Sequence, residues 1–277
     1  MPDGTDIIYY YDGSFEGLMC CVFESFIKGE LPVEIVGPGE HQVSLFAQRE
    51  IVTDIEQARR VIAGIGNKIG GEALQFIQRS FLTCLPGKER SILLFLRKGF
   101  RVGQRIMRMP TDDAVNTLFN AVRHLSNEVH LLSGFVRFSI HQDVMAAEIT
   151  PKNYVLPLLA PHFVDRYPNE RWLIHDKTNS VVVLYEQGKT QLLEVEEFTL
   201  PAPDEEEVKF RELWKLFYDT IAIEGRYNPK CRMTHMPKRY WENMTEFQPG
   251  GKAGAENEKP RETAAMRVLP EAKRLVK

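Results

Sequence analysis

Three residues in the middle of the chain have side chains that could act as acid and base in a reaction. His162 follows a proline, and His175 and Asp176 are adjacent at the end of a short apolar run. Imidazole and carboxylate groups can exchange protons near neutral pH, so these three are candidate catalytic residues. Adjacent residues of a strand point to opposite faces, so His175 and Asp176 do not form a dyad by themselves. A structural histidine with satisfied hydrogen bonds is the alternative interpretation.

Sequence motifs for a metal or a nucleotide cofactor are absent. Cys231 and His235 have a spacing that two metal ligands can use, but no second pair accompanies them. A structural zinc site takes four ligands and a catalytic one takes three. The sequence has no GxSxG, no Walker loop and no complete GxGxxG. We therefore predict neither a metal nor a cofactor.

Basic residues are concentrated locally, although the formal net charge of the chain is −3. A helix over 88–108 would carry four arginines in one stripe, opposite an apolar arc that contains Gly99 and Gly103. The segment 225–241 combines cations with aromatic residues and has no acid. Cations bind phosphates and aromatic rings stack on bases, so both regions predict contact with nucleic acid, with a solvated face as the alternative. The predicted nucleic-acid-binding residues are Arg97, Arg101, Arg105, Arg108, Arg137, Lys152, Arg166, Arg226, Lys230, Arg232, Lys238, Arg239, Tyr240 and Trp241.

The hydrophobic patterns place these residues on an α+β framework. A buried strand over 7–11 precedes a helix over 15–28 with Ser14 as N-cap, and a second strand covers 31–36. Five strand patterns over 134–195 predict a mostly antiparallel central sheet, a meander packed with several helices, in which 135–140 and 144–149 form a hairpin. Two prolines in 154–167 predict two short helical turns at an angle. An apolar stripe after residue 204 predicts a helix packed in the core; it comprises Phe210, Leu213, Trp214, Phe217 and Ile221.

The composition predicts one globular domain and a tail. The chain is 43% hydrophobic and 26% charged, which is typical of a globular protein. We expect a single α+β domain over 1–247, with a helical part at about 53–133, a sheet part at about 134–195, and a C-terminal helix and basic segment at 204–247. The segment 248–277 is rich in Gly, Ala, Glu, Lys and Pro and predicts disorder. Four cysteines without a CxxC pair, and no signal or membrane segment, predict a cytoplasmic protein that contacts no membrane.

Several short blocks resemble a bacterial family described as probable DNA metabolism proteins. The similarity runs from about Ile7 to Phe247. The blocks are Tyr11-Asp12-Gly13-Ser14-Phe15-Glu16-Gly17, Cys20-Cys21-Val22-Phe23-Glu24, Glu128-x-His130, Gly134-Phe135-x-Arg137-Phe138, Pro151-Lys152-Asn153, His162-Phe163-x-x-Arg166, Trp172-x-Ile174-His175-Asp176-Lys177, Arg226-x-Asn228-Pro229 and Met236-Pro237-x-x-Tyr240-Trp241.

That family is similar to a domain of unknown function found N-terminal to uracil-DNA-glycosylase-family domains. Separate members are typically encoded beside a radical SAM protein thought to modify or repair DNA. The resemblance implies an accessory role in DNA repair or modification, with DNA and the radical SAM protein as partners. It carries no established catalytic residues. The chain also lacks the G-x-D-P-Y motif with which glycosylases activate water, so it does not resemble a glycosylase itself.

Three hypotheses about function follow, and they leave open whether the protein is an enzyme. The first is a DNA-binding accessory protein that acts with a uracil-DNA-glycosylase-like or radical SAM partner. The second is an enzyme on DNA or nucleotides with a His/Asp acid–base site. The third is a protein-interaction scaffold whose basic stripe docks an acidic partner.

Overall fold

The described residues combine helices and strands, as predicted, but they form two sheets where the sequence predicted one central sheet. The computed structural model describes residues 5–39, 44–109, 111–248 and 266–268. These residues form two compact units. Unit 1 covers the described residues up to Asn127, and unit 2 covers those from Glu128 to Val268. The single domain expected over 1–247 stays a prediction.

Unit 1 opens with the strand–turn–helix unit that the sequence predicts. Strand β1 (Thr5–Tyr10) leads to helix α1 (Phe15–Ile27), where the Ser14 Oγ accepts a hydrogen bond from the Gly17 N–H at 2.9 Å. Strands β2 (Pro32–Val36) and β3 (Ala47–Glu50) flank β1, and both pair with it in parallel. The polar and mostly exposed β3 has no hydrophobic pattern, and the sequence did not predict it.

Helices complete unit 1 and cover its hydrophobic core. They are α2 (Ile55–Lys68), α3 (Gly71–Phe81), α4 (Lys88–Val102) and the first part of α5 (Asp113–Phe135). The predicted helix over 88–108 is wrong beyond residue 102, because Gly103 has a φ of +67° and a 3-10 helix (Gly103–Arg108) follows. A neighbouring element packs closely at Gly99: a Cβ there would lie 2.6 Å from the Ile69 Cδ1.

Unit 2 is built on a six-stranded sheet with the order β4-β5-β6-β7-β8-β9. The strands are β4 (Ser139–His141), β5 (Val144–Ile149), β6 (Trp172–Asp176), β7 (Val181–Glu186), β8 (Lys189–Val195) and β9 (Met266–Val268). The predicted hairpin is confirmed as the antiparallel pair β4–β5. The mostly antiparallel sheet is a wrong prediction, because β5 and β6 pair in parallel and make the sheet mixed. Helix α6 (Leu156–Arg166) supplies the crossover that a parallel pair requires.

Helix α6 also corrects the prediction of two angled turns. Pro157 lies in the first turn, where its missing N–H costs nothing. Pro161 removes one hydrogen bond from inside the helix, but the helix continues to Arg166. Leu159 and Phe163 are buried and hold the helix to unit 2 across the proline.

Helix α7 (Glu205–Thr220) contradicts the prediction that its apolar stripe packs in the core. Phe210, Leu213 and Phe217 are 56%, 60% and 52% exposed. The helix docks instead through polar contacts: a carboxylate oxygen of Glu207 accepts from the Ile140 N–H at 3.2 Å, and the Trp214 Nε1–H donates to Glu246 at 3.1 Å. These contacts with distant residues determine which side of the helix is buried. A local hydrophobic pattern cannot predict them.

The end of unit 2 is a series of short helices. After α7 come the 3-10 helix Glu224–Arg226, helix α8 (Pro229–His235) and the 3-10 helices Lys238–Asn243 and Thr245–Phe247. The tail predicted over 248–277 lies outside the described residues, apart from Gln248 and β9.

Unit 1 contains two buried thiols, whereas the tryptophans of the chain lie in unit 2. Cys20 and Cys21 are buried in α1, and burial raises the pKa of the Cys21 thiol. The three tryptophans of the chain, Trp172, Trp214 and Trp241, all lie in unit 2. Among the helices of the described part of the chain, none is long and apolar enough to cross a membrane.

Candidate nucleic-acid interface

The carboxyl ends of β5 and β6 lie side by side and bring two polar loops together. Ile149 pairs with Asp176 in the parallel register, and the Lys177 N–H donates to the Ile149 carbonyl at 3.0 Å. In open sheets, ligands commonly bind just outside the carboxyl ends of parallel strands. The loops after these two strands, 150–155 and 177–180, therefore form the candidate site of unit 2.

A buried carboxylate, Glu128, anchors the loop that follows β5. Its side chain is 1% exposed. It accepts hydrogen bonds from the backbone N–H of Lys152 at 3.1 Å and of Asn153 at 2.9 Å, and from the Asn153 Nδ2 at 2.6 Å. Since buried charges are costly unless they are paired, these contacts fix the loop firmly against α5.

The same carboxylate also anchors the C-terminal segment of unit 2. The Arg239 guanidinium lies 3.2 Å from a Glu128 oxygen, and the Tyr240 hydroxyl donates to that oxygen at 3.4 Å. The Asn243 Nδ2 donates to the Thr150 Oγ1 at 2.9 Å. One carboxylate thus ties three sequence regions into a single polar cluster.

Asp176 is the buried acid at the end of β6. It is 0% exposed and accepts from the backbone N–H groups of Thr178 and Asn179, both at 3.0 Å, and from the Asn179 Nδ2 at 2.6 Å. Burial raises the pKa of the Asp176 carboxyl to about 6, against the opposing effect of the Asn179 hydrogen bonds. Its contacts close the turn that leads from β6 to β7.

His175 points to the other face of the strand and is also buried, at 6% exposed. Its Nδ1 lies 3.5 Å from a Glu148 oxygen, and the Lys177 Nζ lies 3.7 Å from the other oxygen. The His175 imidazole, followed by the Lys177 ammonium, holds the pKa of Glu148 below its usual value. His162 is exposed on α6, which runs back toward the start of β6. The fold therefore does not bring His162 to His175 and Asp176.

Four exposed cations surround this polar edge, and we call them the basic rim: Lys152, Lys177, Lys238 and Arg239. The contacts described above connect their segments to one another. The Lys152 backbone and the Arg239 side chain share Glu128, and Lys177 is hydrogen-bonded to the strand that ends just before Lys152. Unit 2 therefore presents several positive charges on a surface fixed by buried contacts.

An aromatic cluster lies beside the rim, and Trp241 makes contacts with other residues of the protein there. The Trp241 ring stacks on Phe247 with centroids 4.3 Å apart, and its Nε1–H donates to the Met236 carbonyl at 2.9 Å. The Arg232 guanidinium lies 5.2 Å from the Trp241 ring centroid and the Lys238 Nζ lies 5.8 Å from it. Phe247 already covers one ring face, which limits the area that a base could stack on.

The other predicted residues of unit 2 occupy different places. Tyr240 is buried, so its ring is not positioned to stack on a base. Arg137 pairs with the buried Glu246 at 2.8 Å and lies over the Trp214 ring, so its charge is used within the protein. Arg166 is exposed at the end of α6, away from the rim. Arg226 and Lys230 are exposed on the segment after α7.

The predicted arginine stripe belongs to unit 1, and its members differ. Arg97 donates to the Ser25 Oγ at 2.7 Å and to the Glu30 carbonyl at 2.6 Å, so it holds α4 to the end of α1. Arg101 is exposed on α4, whereas Arg105 and Arg108 are exposed on the 3-10 helix that follows. The continuous helical stripe is therefore interrupted at Gly103.

The residues that organise the site were not among the predicted site residues. Glu128, Asn153 and Asn179 carry most of its hydrogen bonds. Glu128 and Asn153 do fall in short blocks of the family resemblance, which was the only available signal. No local pattern connects a glutamate in a helix to a loop 24 residues later.

An α+β protein with a basic surface at the edge of a mixed sheet is the class that this geometry defines. Residues 86–246, more than half of the chain, match the model of a family described as a domain of unknown function, DUF4130. The chain belongs to that family, and the matched range includes every residue of the basic rim. No curated protein and no solved structure matches the chain.

Proposed function

We propose that the protein is a DNA-binding accessory factor in DNA repair or modification and that the basic rim contacts the phosphate backbone. The observation that supports this best is the group of four exposed cations, of which the Lys152 backbone and the Arg239 guanidinium share the buried Glu128. Lysine and arginine contacts to phosphates supply most of the affinity of non-specific DNA binding. The resemblance to DNA metabolism proteins supports DNA over other polyanions.

The anchoring of the rim favours binding because less conformational freedom is lost. Glu128 fixes the backbone at Lys152 and the guanidinium of Arg239, and the Ile149 carbonyl fixes the backbone at Lys177. Each rotamer-rich side chain that binding immobilises costs about 0.5–1.5 kcal/mol, and the contact with Glu128 reduces this cost for the Arg239 side chain. The rim lysines are exposed, with the Lys177 Nζ 3.7 Å from Glu148, and their charges can replace the counterions of a phosphate.

Fluorescence anisotropy with a labelled duplex, over a range of salt concentrations, tests this function. We expect the log of the affinity to fall linearly with the log of the salt concentration. The double substitution Lys152→Gln and Lys177→Gln should weaken binding and make the salt slope shallower by about 1.8, because each duplex contact contributes about 0.9. Both side chains are exposed, so the fold should be retained.

Two further variants complete the experiment. Arg166→Gln with Lys189→Gln removes the same charge from exposed positions outside the rim and should leave the slope unchanged. Arg101→Gln with Arg105→Gln asks whether the exposed arginines of unit 1 also contact DNA. The proposal would be refuted if the protein did not bind DNA or if binding did not depend on salt. It would also be refuted if the rim variant and the Arg166 control changed the affinity and the salt slope equally.

A glycosylase-like or radical SAM partner is part of the proposal, on the strength of the family resemblance. Its test is co-purification of this protein with a radical SAM protein of the kind that the resemblance implies, with and without DNA. Co-purification without any affinity for DNA would favour the scaffold hypothesis instead.

The enzyme hypothesis has narrower support. The raised pKa of Asp176 is typical of a group that exchanges protons near neutral pH. Asp176 and His175 are 0% and 6% exposed, however, so a substrate does not reach them in this conformation. Turnover of a DNA or nucleotide substrate that is unchanged in a His162→Ala, His175→Ala double variant would exclude these histidines as catalytic residues.

A further inference from the structure

Helix α7 exposes a long apolar face. Five large side chains on the helix and at its C-cap are between 52% and 63% exposed. They are Phe210, Leu213, Leu216, Phe217 and Ile221. Soluble monomers rarely leave a contiguous apolar patch of this length open, and such patches commonly mark interaction surfaces.

The helix is docked by a different side from the one that is apolar. Glu207, Lys215 and Tyr218 contact the rest of unit 2, through the Ile140 N–H, the Gln248 carbonyl and the Phe247 ring. At 100° per residue, the centre of this docked side and the centre of the Phe210–Phe217 side lie roughly 140° apart around the helix axis. The apolar face is therefore separate from the side of α7 that packs against the rest of unit 2.

The next segment of the chain cannot cover this face with apolar side chains. Residues 249–265 follow Gln248, which is hydrogen-bonded to α7. Their sequence, PGGKAGAENEKPRETAA, contains no Val, Ile, Leu, Met or aromatic residue. The stretch that directly follows Gln248 therefore offers no large apolar side chain to bury the face.

We infer that a second copy of this chain docks on the face, with the two α7 helices packed antiparallel about a two-fold axis. The two phenylalanines of the face have about 150–250 Å² of surface each, of which about half is exposed, and Leu213, Leu216 and Ile221 extend the apolar area beyond them. A stable interface buries about 800 Å² on each partner, so the charged residues at the ends of the face complete it. An apolar stripe also satisfies the requirement that a two-fold interface be complementary to itself.

Charges at the two ends of the face fit the antiparallel arrangement. Asp204, Glu205 and Glu206 are exposed at the start of α7, whereas Arg226 and Lys230 are exposed beyond its end. An antiparallel pair places the acids of one copy near the cations of the other, at both ends. The opposed helix macrodipoles and this charge pairing both favour the same orientation.

Sedimentation equilibrium on the whole chain tests the inference. We expect twice the chain mass of 31.9 kDa for the wild type at about 100 μM. The double substitution Leu213→Glu and Phe217→Glu should give the monomer mass with an unchanged circular dichroism spectrum, since both side chains are exposed. The control Leu45→Glu adds a charge at an exposed apolar residue of unit 1 and should leave the dimer intact. A monomeric wild type, or a dimer that survives in the α7 variant, would overturn the inference.

The orientation has its own test by charge reversal. The variant Glu205→Lys, Glu206→Lys and the variant Arg226→Glu, Lys230→Glu should each dimerise more weakly, roughly tenfold or more. In an equimolar mixture, each end of the heterodimer regains opposite charges, so the dimer should be restored. A mixture that remains as weak as the separate variants would refute the antiparallel arrangement. These outcomes are independent of DNA binding.

Discussion

Removal of the Glu128 carboxylate should destabilise unit 2 more than any exposed acidic substitution. Glu128 is 2% exposed, pairs with Arg239, and accepts from the backbone N–H groups of Lys152 and Asn153. Its loss leaves the Lys152 and Asn153 N–H groups without an acceptor, and each hydrogen bond to a charged group contributes about 1.5–3 kcal/mol. We therefore expect Glu128→Ala to lower the free energy of unfolding by about 3–5 kcal/mol.

Glu128→Gln should give a smaller loss. The glutamine keeps one oxygen acceptor but turns an amide NH2 toward groups that are themselves donors. A hydrogen bond to a charged group contributes about 1.5–3 kcal/mol, which is the loss that we expect for this variant. The Glu128→Gln variant allows the stabilising effect of the carboxylate to be measured even if the alanine variant does not fold.

Urea denaturation followed by far-UV circular dichroism measures these differences, and thermal denaturation gives a second estimate. One kcal/mol shifts the melting temperature by about 2–4 °C in a protein of this size class, so the alanine variant should melt about 6–20 °C lower. Glu242→Ala is the matched control, because Glu242 lies in the same C-terminal segment and is exposed. A loss of less than about 1 kcal/mol for Glu128→Ala would show that the carboxylate does not anchor the loops.

Three further predictions concern single side chains. The folded-state pKa of Asp176, about 6, lies above its unfolded value of 3.8, so its stabilising contribution exists below pH 4 and is lost as pH rises to 6. Relative to wild type, Asp176→Asn should therefore gain up to about 3 kcal/mol between pH 4 and 7 in urea titrations; a pH-independent difference would contradict the assignment. Arg97→Ala should cost about 2 kcal/mol in the same assay, since its guanidinium donates to two residues, whereas the exposed Arg101→Ala should cost under about 0.5 kcal/mol. Gly99→Ala should cost about 1–3 kcal/mol, with partial recovery on adding Ile69→Val, which removes the Cδ1 that the new methyl would meet; no recovery would contradict this contact.

Local signals predicted the parts of the fold that are held by local contacts. The β-forming run before Asp12, the Ser14 cap and the apolar spacing of α1 act within a few residues of one another, and the structure has them as expected. The hairpin β4–β5 was equally accessible, because its turn lies between two adjacent strand patterns.

Two of the wrong predictions, the antiparallel sheet and the buried stripe of α7, depend on contacts between distant residues. The parallel pairing of β5 with β6 joins strands that are separated by a whole helix, and no neighbouring turn specifies it. The exposure of α7 depends on Glu207 and Trp214, whose partners lie 67 and 32 residues away. Because these contacts are polar and specific, the amphipathic pattern alone indicated the wrong buried face.

The candidate site was predictable in its charges but not in its organisation. Lys152, Lys238 and Arg239 were identified as cations, yet their convergence rests on Glu128, which lies 112 residues from Tyr240. For Arg97 and Arg137, the charge was predicted correctly but its role was not. Both looked available for phosphate, and both are used to hold helices and strands together within their own units.

The restriction of tryptophan to unit 2 gives the protein a built-in optical probe. Trp172 is fully buried, Trp214 is 40% exposed beside α7's apolar face, and Trp241 is stacked on Phe247. Indole emission excited at the red edge will therefore follow the unfolding of unit 2 alone, while circular dichroism follows both units. A difference between the two denaturation curves would give the stability of each unit separately, in the unlabelled and unmutated chain.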